Sequence, residues 1–181
     1  MDDKGTIVVT GFKGCGKSKI GKALAGRLGL DFFDTDTMIE DLHRERTQQD
    51  LDFRGIYTEH GSEYFESLEL EVLKRSAAKK TACVISFGGG SLIKADETGL
   101  LMKNATFVYI TVEDDVLFDR IVRNGIPAFF DKENPRVSFD KLMIKRTPVY
   151  KKYADITVDN TGKPPDKVVD EIVELLKIDK A

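Results

Sequence analysis

The sequence predicts an α/β fold of three layers, in which a five-stranded parallel sheet carries helices on both faces. Short apolar runs rich in β-branched residues alternate with helical patterns along the 181 residues, which is typical of a parallel sheet with crossover helices. A glycine-rich loop joins the first of these runs to the first helical pattern. The chain length suits a single domain, which we expect to span residues 1–181.

Each predicted element follows from a local pattern. Five apolar runs are predicted to form the strands, at residues 6–10, 30–34, 82–87, 105–110 and 155–159. Apolar positions at helical spacing predict helices at residues 17–28, 37–46 and 61–79, after 111–114, from 138 and from 164 onward. In a parallel sheet of this kind, ligands bind outside the carboxyl ends of the strands.

The remaining segments are predicted from their turn and capping residues. Residues 48–60 are polar, and we expect a short helix with loops there. A capping box at 111–114 predicts the start of the helix that follows it. Asparagine, glycine and proline make residues 123–135 turn-prone, and Pro148 predicts a kink or break in the helix from 138.

The loop at residues 11–18 matches the phosphate-binding pattern G-x-x-x-x-G-K-[ST] at all four fixed positions. The pattern lies between a predicted strand at 6–10 and a predicted helix at 17–28, which is the context in which it binds phosphate. The alternative, an ordinary glycine-rich turn from strand to helix, does not require all four residues. The loop therefore predicts that the chain binds a nucleoside triphosphate, which we expect to be ATP.

The residue types in this loop suit the chemistry of phosphate binding. Its glycines let successive backbone N–H groups point inward at phosphate oxygens, next to the positive end of a helix. Lys17 is expected to reach the β- and γ-phosphates, and the Ser18 hydroxyl to ligate Mg²⁺. The predicted nucleotide-binding residues of the loop are Gly11, Gly14, Cys15, Gly16, Lys17, Ser18 and Lys19.

Two further segments follow predicted strands at the same edge of the sheet. Asp34 and Asp36 come after the second strand, where one carboxylate could organise Mg²⁺ and the other could orient an acceptor hydroxyl and take its proton. Either aspartate could instead cap the next helix. The triple glycine at 88–90 offers bare backbone to a ligand, or forms a tight turn.

Composition excludes several classes of function. Hydrophobic residues make up 41% and charged residues 33% of the chain, as in ordinary globular proteins. The net charge of −3 disfavours a dedicated nucleic-acid-binding protein, and no apolar stretch reaches the length of a membrane span. A disulfide at Cys15 would obstruct the phosphate loop, so we expect Cys15 and Cys83 to be reduced thiols. We expect a cytoplasmic monomer without nucleic-acid or membrane partners.

Together these motifs resemble the shikimate kinase family over most of the chain. The resemblance rests on the phosphate loop at 11–18, the aspartates at 34 and 36, Gly61 with Phe65 and Glu69, the glycines at 88–90, and the residues at 145–150. It implies a P-loop NTPase-like three-layer sandwich with a lid at about 123–135. It also implies transfer of the γ-phosphoryl group of ATP to the 3-hydroxyl of shikimate.

The resemblance also implies roles for individual residues. Lys17, Asp34 and Asp36 would form the catalytic set, with Asp34 helping Ser18 to hold Mg²⁺ and Asp36 contacting the acceptor hydroxyls. Gly88, Gly89 and Gly90 would line the acceptor pocket. Arg146 would pair with the substrate carboxylate, and Arg120 would stack on adenine.

The chain departs from the family pattern at two arginine positions. The first is the substrate-binding arginine after Gly61, where this chain has Glu66. The second is the lid arginine before Pro127, where it has Ile126. Each loss removes a guanidinium that pairs with a carboxylate or a phosphate. Three arginines lie near these positions in the sequence and are candidates to compensate: Arg54, Arg123 and Arg136.

Three interpretations of function stay open at this point. The first is a shikimate kinase with a rearranged carboxylate site that keeps Arg146. The second is a kinase of the same fold for another small hydroxylated acceptor, matched to Glu66. The third is a nucleotide-binding protein without catalysis, which the presence of Lys17, Ser18 and both aspartates disfavours.

Overall fold

The structure is a computed structural model and describes residues 5–178. The described part contains five strands: β1 (Thr6–Thr10), β2 (Asp31–Asp34), β3 (Cys83–Ser86), β4 (Ala105–Thr111) and β5 (Ile156–Asp159). It also contains seven helices: α1 (Lys17–Leu28), α2 (Thr35–Thr47), α3 (Phe53–Ala77), α4 (Ser91–Thr98), α5 (Asp114–Arg123), α6 (Pro135–Tyr153) and α7 (Pro165–Ile178). None of these helices is both long enough and apolar enough to cross a bilayer.

All strand pairs in the sheet are parallel, and the strand order is β2-β3-β1-β4-β5. The central strand β1 is buried along its whole length, as expected for a strand covered on both faces. Its Val8 lies opposite Ile85 of β3 and Phe107 of β4. The first loop therefore leaves the middle of the sheet, with loops from β3 and β4 on either side.

Helices cover both faces of the sheet, which confirms the predicted three layers. Phe107 and Tyr109 of β4 contact Tyr153 and Tyr150 of α6. Since side chains alternate along a strand, Val108 and the other intervening residues face the opposite layer, where α1 packs against α7. A separate apolar cluster joins α2 to α3, and its buried residues are Ile39, Leu42, Ile56, Phe65, Leu68 and Val72.

The local predictions from the sequence have different outcomes. The prediction of a short helix with loops at 48–60 and a second helix from Gly61 is confirmed: a loop at 48–52 leads into a helix at 53–60, and a kink at Gly61 (φ 79°) separates it from the helical residues up to Ala77, the two segments together forming α3. Thr111 does not cap α5, because it pairs with Asp159 inside β4; the N-cap residue is Glu113. The sequence patterns also missed α4, a helix of only eight residues that begins directly after the glycines at 88–90.

The helix α6 does not break at Pro148. It starts earlier than predicted, at Pro135, and continues through Pro148 to Tyr153. Packing explains this continuity, because Tyr150, in the next turn, is fully buried and its hydroxyl donates a hydrogen bond to the carbonyl of Gly89. Burial of a large aromatic side chain offsets the hydrogen bond that the proline cannot donate.

Candidate active site

The loops that leave the carboxyl ends of β1, β2 and β3 surround a single cavity of about 590 Å³. Residues from α3, from α6 and from the segment between α5 and α6 complete its walls. The sequence-predicted site residues that line it are Gly14, Gly16, Lys17, Ser18, Lys19, Asp36, Gly88, Gly89, Gly90 and Arg146. The structure thus brings together residues that are more than 130 positions apart in the sequence.

The phosphate loop has the backbone shape that its glycines predict. Gly11, Gly14 and Gly16 have φ values of 145°, 83° and 96°, a region that side chains with a Cβ rarely adopt. A Cβ on Gly16 would lie 2.8 Å from the side-chain nitrogen of Asn160, which itself donates to the carbonyl of Cys15 at 2.8 Å. The loop is therefore a bare backbone cradle of the kind that fits a chain of phosphates.

The loop side chains divide into two groups. Lys17 is 8% exposed, and its Nζ donates to the carbonyl of Phe12 at 2.9 Å, so it curls over the loop toward the cavity. Cys15 is fully buried beneath the loop, 4.0 Å from Lys17 Nζ, and does not line the cavity. Cys15 and Cys83 are both free and buried. Only the backbone of Cys15 can take part in ligand binding.

Asp34 contacts Ser18 at the end of the cavity that the phosphate loop forms, the donor end, but Asp34 itself is not part of the cavity lining. One of its carboxylate oxygens accepts the Ser18 hydroxyl at 2.5 Å, and the other accepts the backbone N–H of Asp36 at 3.0 Å as the N-cap of α2. Asp34 can therefore cap α2 with one oxygen and contact the phosphate loop through Ser18 with the other. Within residues 5–178 no group of three or more His, Cys, Asp or Glu residues could hold a metal. The donor set of one hydroxyl and one carboxylate fits Mg²⁺, which takes its other ligands from water and phosphate.

Asp36 lies against the triple glycine at the other end of the cavity, which also includes Arg146 and which we call the acceptor end. Burial raises the pKa of its carboxyl, and the charge of Asp34 adds to this rise, while Lys17 and Lys13 oppose it. A Cβ on Gly88 would overlap an oxygen of Asp36, so a glycine is required at this close approach. Gly88 also starts the turn into α4 through a hydrogen bond from Ser91 N to its carbonyl (2.9 Å).

Arg146 reaches the cavity from α6. Its guanidinium lies 5.5 Å from the ring centre of Phe12 and 5.9 Å from that of Phe129, within the range of cation–π attraction. It lies close to the backbone of Gly89, where an added Cβ would be 3.4 Å from a guanidinium nitrogen. None of the ion pairs found in the described part of the chain includes Arg146.

Comparison with known proteins agrees with this geometry. The family model described as shikimate kinase matches residues 13–177. The chain belongs to the shikimate kinase family. It is 31% identical to a shikimate kinase of Thermodesulfovibrio yellowstonii (93% of this chain, 92% of the relative) and 34% identical to one of Moorella thermoacetica (96% and 95%). Like its family, it is a kinase that phosphorylates a hydroxyl group.

Solved structures of shikimate kinases share the fold. The Acinetobacter baumannii enzyme in complex with shikimate matches with a TM-score of 0.83 at 25% identity, covering 97% of this chain and 94% of that chain. The Aquifex aeolicus enzyme matches with a TM-score of 0.74 at 30% identity, covering 97% and 98%.

Glu66, which the resemblance to the family pattern sets at an arginine position, points away from the acceptor end. Its carboxylate pairs with Lys94 Nζ at 2.6 Å, its side chain is 54% exposed, and it does not line the cavity. Glu66 therefore does not neutralise Arg146. Ile126 is 40% exposed and does not line the cavity either. The residues of its segment that do line the cavity are Pro127, Ala128 and Phe129.

The cavity contains residues that motif matching did not place in the site. Lys13, Arg54 and Glu69 line it together with the aromatic rings of Phe53 and Tyr57. Burial raises the pKa of Glu69 to about 7, although Lys94 and Arg146 act to lower it. Glu69 follows Phe65 by one helical turn. This spacing puts both residues on one face of the helix and could have predicted that they line the same wall of the cavity.

The other arginines considered as replacements lie elsewhere. Arg136 pairs with Asp115 at 2.6 Å and with Asp140 at 2.9 Å, away from the cavity. Arg123 is exposed and does not line the cavity. Arg120, which we expect to stack on adenine and not to replace a lost arginine, donates to the carbonyl of Asn160 at 3.2 Å, outside the cavity lining.

Proposed function

We propose that this protein transfers the γ-phosphoryl group of ATP to the 3-hydroxyl of shikimate. The observation that carries the proposal is the single cavity, which has phosphate-loop residues at one end and Asp36, the glycines at 88–90 and Arg146 at the other. A phosphate donor and a small acid bound at the two ends would have their reacting groups side by side. Holding reactants in this way is a large part of phosphoryl-transfer catalysis.

Lys17 and Asp36 would have the main chemical roles. Lys17 would hold the β- and γ-phosphates from the start of α1. Asp36 would orient the acceptor hydroxyl and receive its proton as the oxygen attacks phosphorus. Burial raises the pKa of the Asp36 carboxyl, and a carboxylate with a raised pKa is a stronger base once it is ionised.

Ser18 and Asp34 would hold Mg²⁺, as their short contact supports. When bound there, the ion would supply positive charge to the β- and γ-phosphates. Both residues stay at the donor end, so Asp36 remains available to the acceptor. We also propose that Arg120 contacts the adenine, that residues 123–135 act as a lid, and that the protein works as a cytoplasmic monomer.

We propose that Arg54 and Arg146 bind the carboxylate of the acceptor together. Arg54 lies in the first turn of α3 and lines the cavity, and none of the hydrogen bonds or ion pairs found within residues 5–178 uses its guanidinium. With Glu66 turned outward to Lys94, it replaces the missing cation. Two guanidinium groups suit a carboxylate because each can donate charge-assisted hydrogen bonds.

The substitution Arg54→Ala tests this assignment. We expect the KM for shikimate to rise about 10-fold or more while the KM for ATP stays within about 2-fold, because an ion-paired hydrogen bond contributes about 1.5–3 kcal/mol. Steady-state kinetics with each substrate varied measures both constants. Arg136→Ala is the matched control, because Arg136 lies outside the cavity, and an equal effect of both changes would contradict the role of Arg54.

A coupled assay of ADP release with shikimate tests the proposed function itself. We expect turnover of about 1–100 s⁻¹, as is usual for kinases, with the new phosphate ester identified by phosphorus NMR. Lys17→Ala should abolish it. Turnover with a different hydroxylated metabolite but none with shikimate would favour another acceptor. ATP binding without phosphorylation of any acceptor in a broad panel would favour a non-catalytic role.

A further inference from the structure

Lys13 is a cation of the phosphate loop that no motif position requires. It stands between Phe12 and Gly14, is half-buried, and lines the same cavity as Lys17 and Asp36. The loop meets the triple glycine at this point, since a Cβ on Gly89 would lie 3.2 Å from the backbone nitrogen of Lys13. Lys13 therefore lies at the junction between the donor and acceptor ends.

The charges around Lys13 come from both ends of the cavity. Its ammonium is within electrostatic range of Lys17 on the donor side, and of Asp36 and Arg54 on the acceptor side. Burial lowers its pKa, the two cations act in the same direction, and Asp36 opposes them. No hydrogen bond or ion pair among the residues that the structure describes engages this ammonium. An anion between the two ends would relieve the repulsion among the three cations.

We propose that Lys13 contacts the phosphoryl group during its transfer and stabilises the charge on its oxygens in the transition state. This inference rests on the proposed function. The acceptor oxygen forms a bond to the γ-phosphorus, the bond from that phosphorus to the leaving oxygen of ADP breaks, and the hydroxyl proton passes to Asp36. Lys13 keeps its own proton throughout and acts through charge alone.

The composition of the segment between α5 and α6 supports this role of Lys13. Its cavity-lining residues, Pro127, Ala128 and Phe129, are uncharged, and Ile126 does not line the cavity. Among the described residues, this segment therefore places no positive charge on the wall of the cavity. Lys13 is on the fixed loop that holds the phosphates, so its ammonium can reach the same group without any movement of the segment.

Lys13→Met, which removes the charge and keeps the length, tests the proposal. We expect kcat with ATP and shikimate to fall about 100-fold, the usual cost of removing one transition-state donor, with each KM within about 3-fold. Lys13→Arg should recover a large part of the loss. Lys22→Met is the matched control, because Lys22 is exposed on α1 outside the cavity and its change should leave kcat unaltered.

A binding measurement separates transition-state contact from ordinary nucleotide binding. Calorimetry should show that Lys13→Met weakens binding of ADP with aluminium fluoride, a mimic of the transferring phosphoryl group, at least 10-fold more than binding of a non-hydrolysable ATP analogue. Equal weakening of the two ligands, an unchanged kcat, or a rise in the KM for shikimate alone would overturn the proposal. If the wild-type protein does not phosphorylate shikimate, the acceptor assignment fails, and the binding comparison still decides the role of Lys13.

Discussion

Asp34 uses its two carboxylate oxygens for different purposes. One caps α2 by accepting the N–H of Asp36, and the other accepts the hydroxyl of Ser18. The sequence left the capping and metal-binding interpretations open because an aspartate at a helix start serves either. The structure shows that both interpretations can hold, because Ser18 lies beside the carboxylate oxygen of Asp34 that the cap does not use. The cap also orients Asp36, two residues further on, toward the acceptor end.

At the same scale, Asp36→Asn tests the acceptor side of the site. We expect kcat to fall at least about 100-fold, because the amide cannot accept the hydroxyl proton, while ATP still binds. Single-turnover kinetics measures the chemical step, and calorimetry measures ATP affinity. Retained phosphoryl transfer in this variant would contradict the role assigned to Asp36.

Glu69 predicts a pH dependence of stability. Burial raises its pKa to about 7, with Glu66 and Asp36 acting in the same direction and Lys94 and Arg146 against it. A carboxyl with a raised pKa in the folded state stabilises the fold below its unfolded pKa and loses that contribution as pH rises through about 7. The free energy of unfolding, relative to Glu69→Gln, should therefore fall by about 1–3 kcal/mol between pH 4.5 and 7.5.

Denaturant unfolding of both proteins across this pH range checks the prediction. Glu69→Gln keeps the shape of the side chain and removes its titration, so effects of other groups cancel in the difference. A difference that stays constant with pH, or that grows as pH rises, would contradict the raised pKa.

At the scale of elements, the α2–α3 pair forms its own apolar cluster, apart from the core of the sheet. Phe65 in this cluster and Glu69 beside it line the acceptor end, whereas α1 carries the phosphate loop. The sequence pattern predicted a helix boundary at Gly61, because glycine and the polar residues before it favour a turn, and the structure has a kink at this residue. The two helical segments stay together across the kink because Ile56 on one side of Gly61 and Phe65 on the other pack into one cluster.

Leu68→Ala tests the separate role of this element. Leu68 is fully buried in the α2–α3 cluster, so its truncation should cost about 2–5 kcal/mol of unfolding free energy. The KM for shikimate should rise more than the KM for ATP. Leu24→Ala in α1 is the matched control, since Leu24 is equally buried behind the phosphate loop; it should affect ATP more. The reverse pattern in the two variants would contradict this division.

At the scale of the whole molecule, the two ends of the cavity belong to one sheet edge, so ligand binding should stabilise the entire fold. ATP at about 100 times its dissociation constant should add about 2.7 kcal/mol to the unfolding free energy. Thermal unfolding with and without ATP measures this as a rise in Tm. Lys17→Ala should show a much smaller rise, and an equal rise in both proteins would place the nucleotide elsewhere.

The sequence by itself determined the layers, the parallel sheet and the phosphate loop. These depend on local patterns: β-branched runs, helical spacing, and glycines with positive φ in the loop at 11–18. The features that the sequence patterns missed have two other causes, the shortness of one helix and a contact between distant residues. Helix α4 is short, and Pro148 remains helical because Tyr150 is buried and bonded to Gly89.

Only the tertiary structure decided which charges face the acceptor. Glu66 and Glu69 lie three residues apart on the same helix, yet Glu66 pairs with Lys94 outside and Glu69 lines the cavity. Lys13 and Arg54 enter the same cavity from two different elements. Spacing along a chain indicates which residues share a helix face, but the direction in which that face points depends on the packing of the whole molecule.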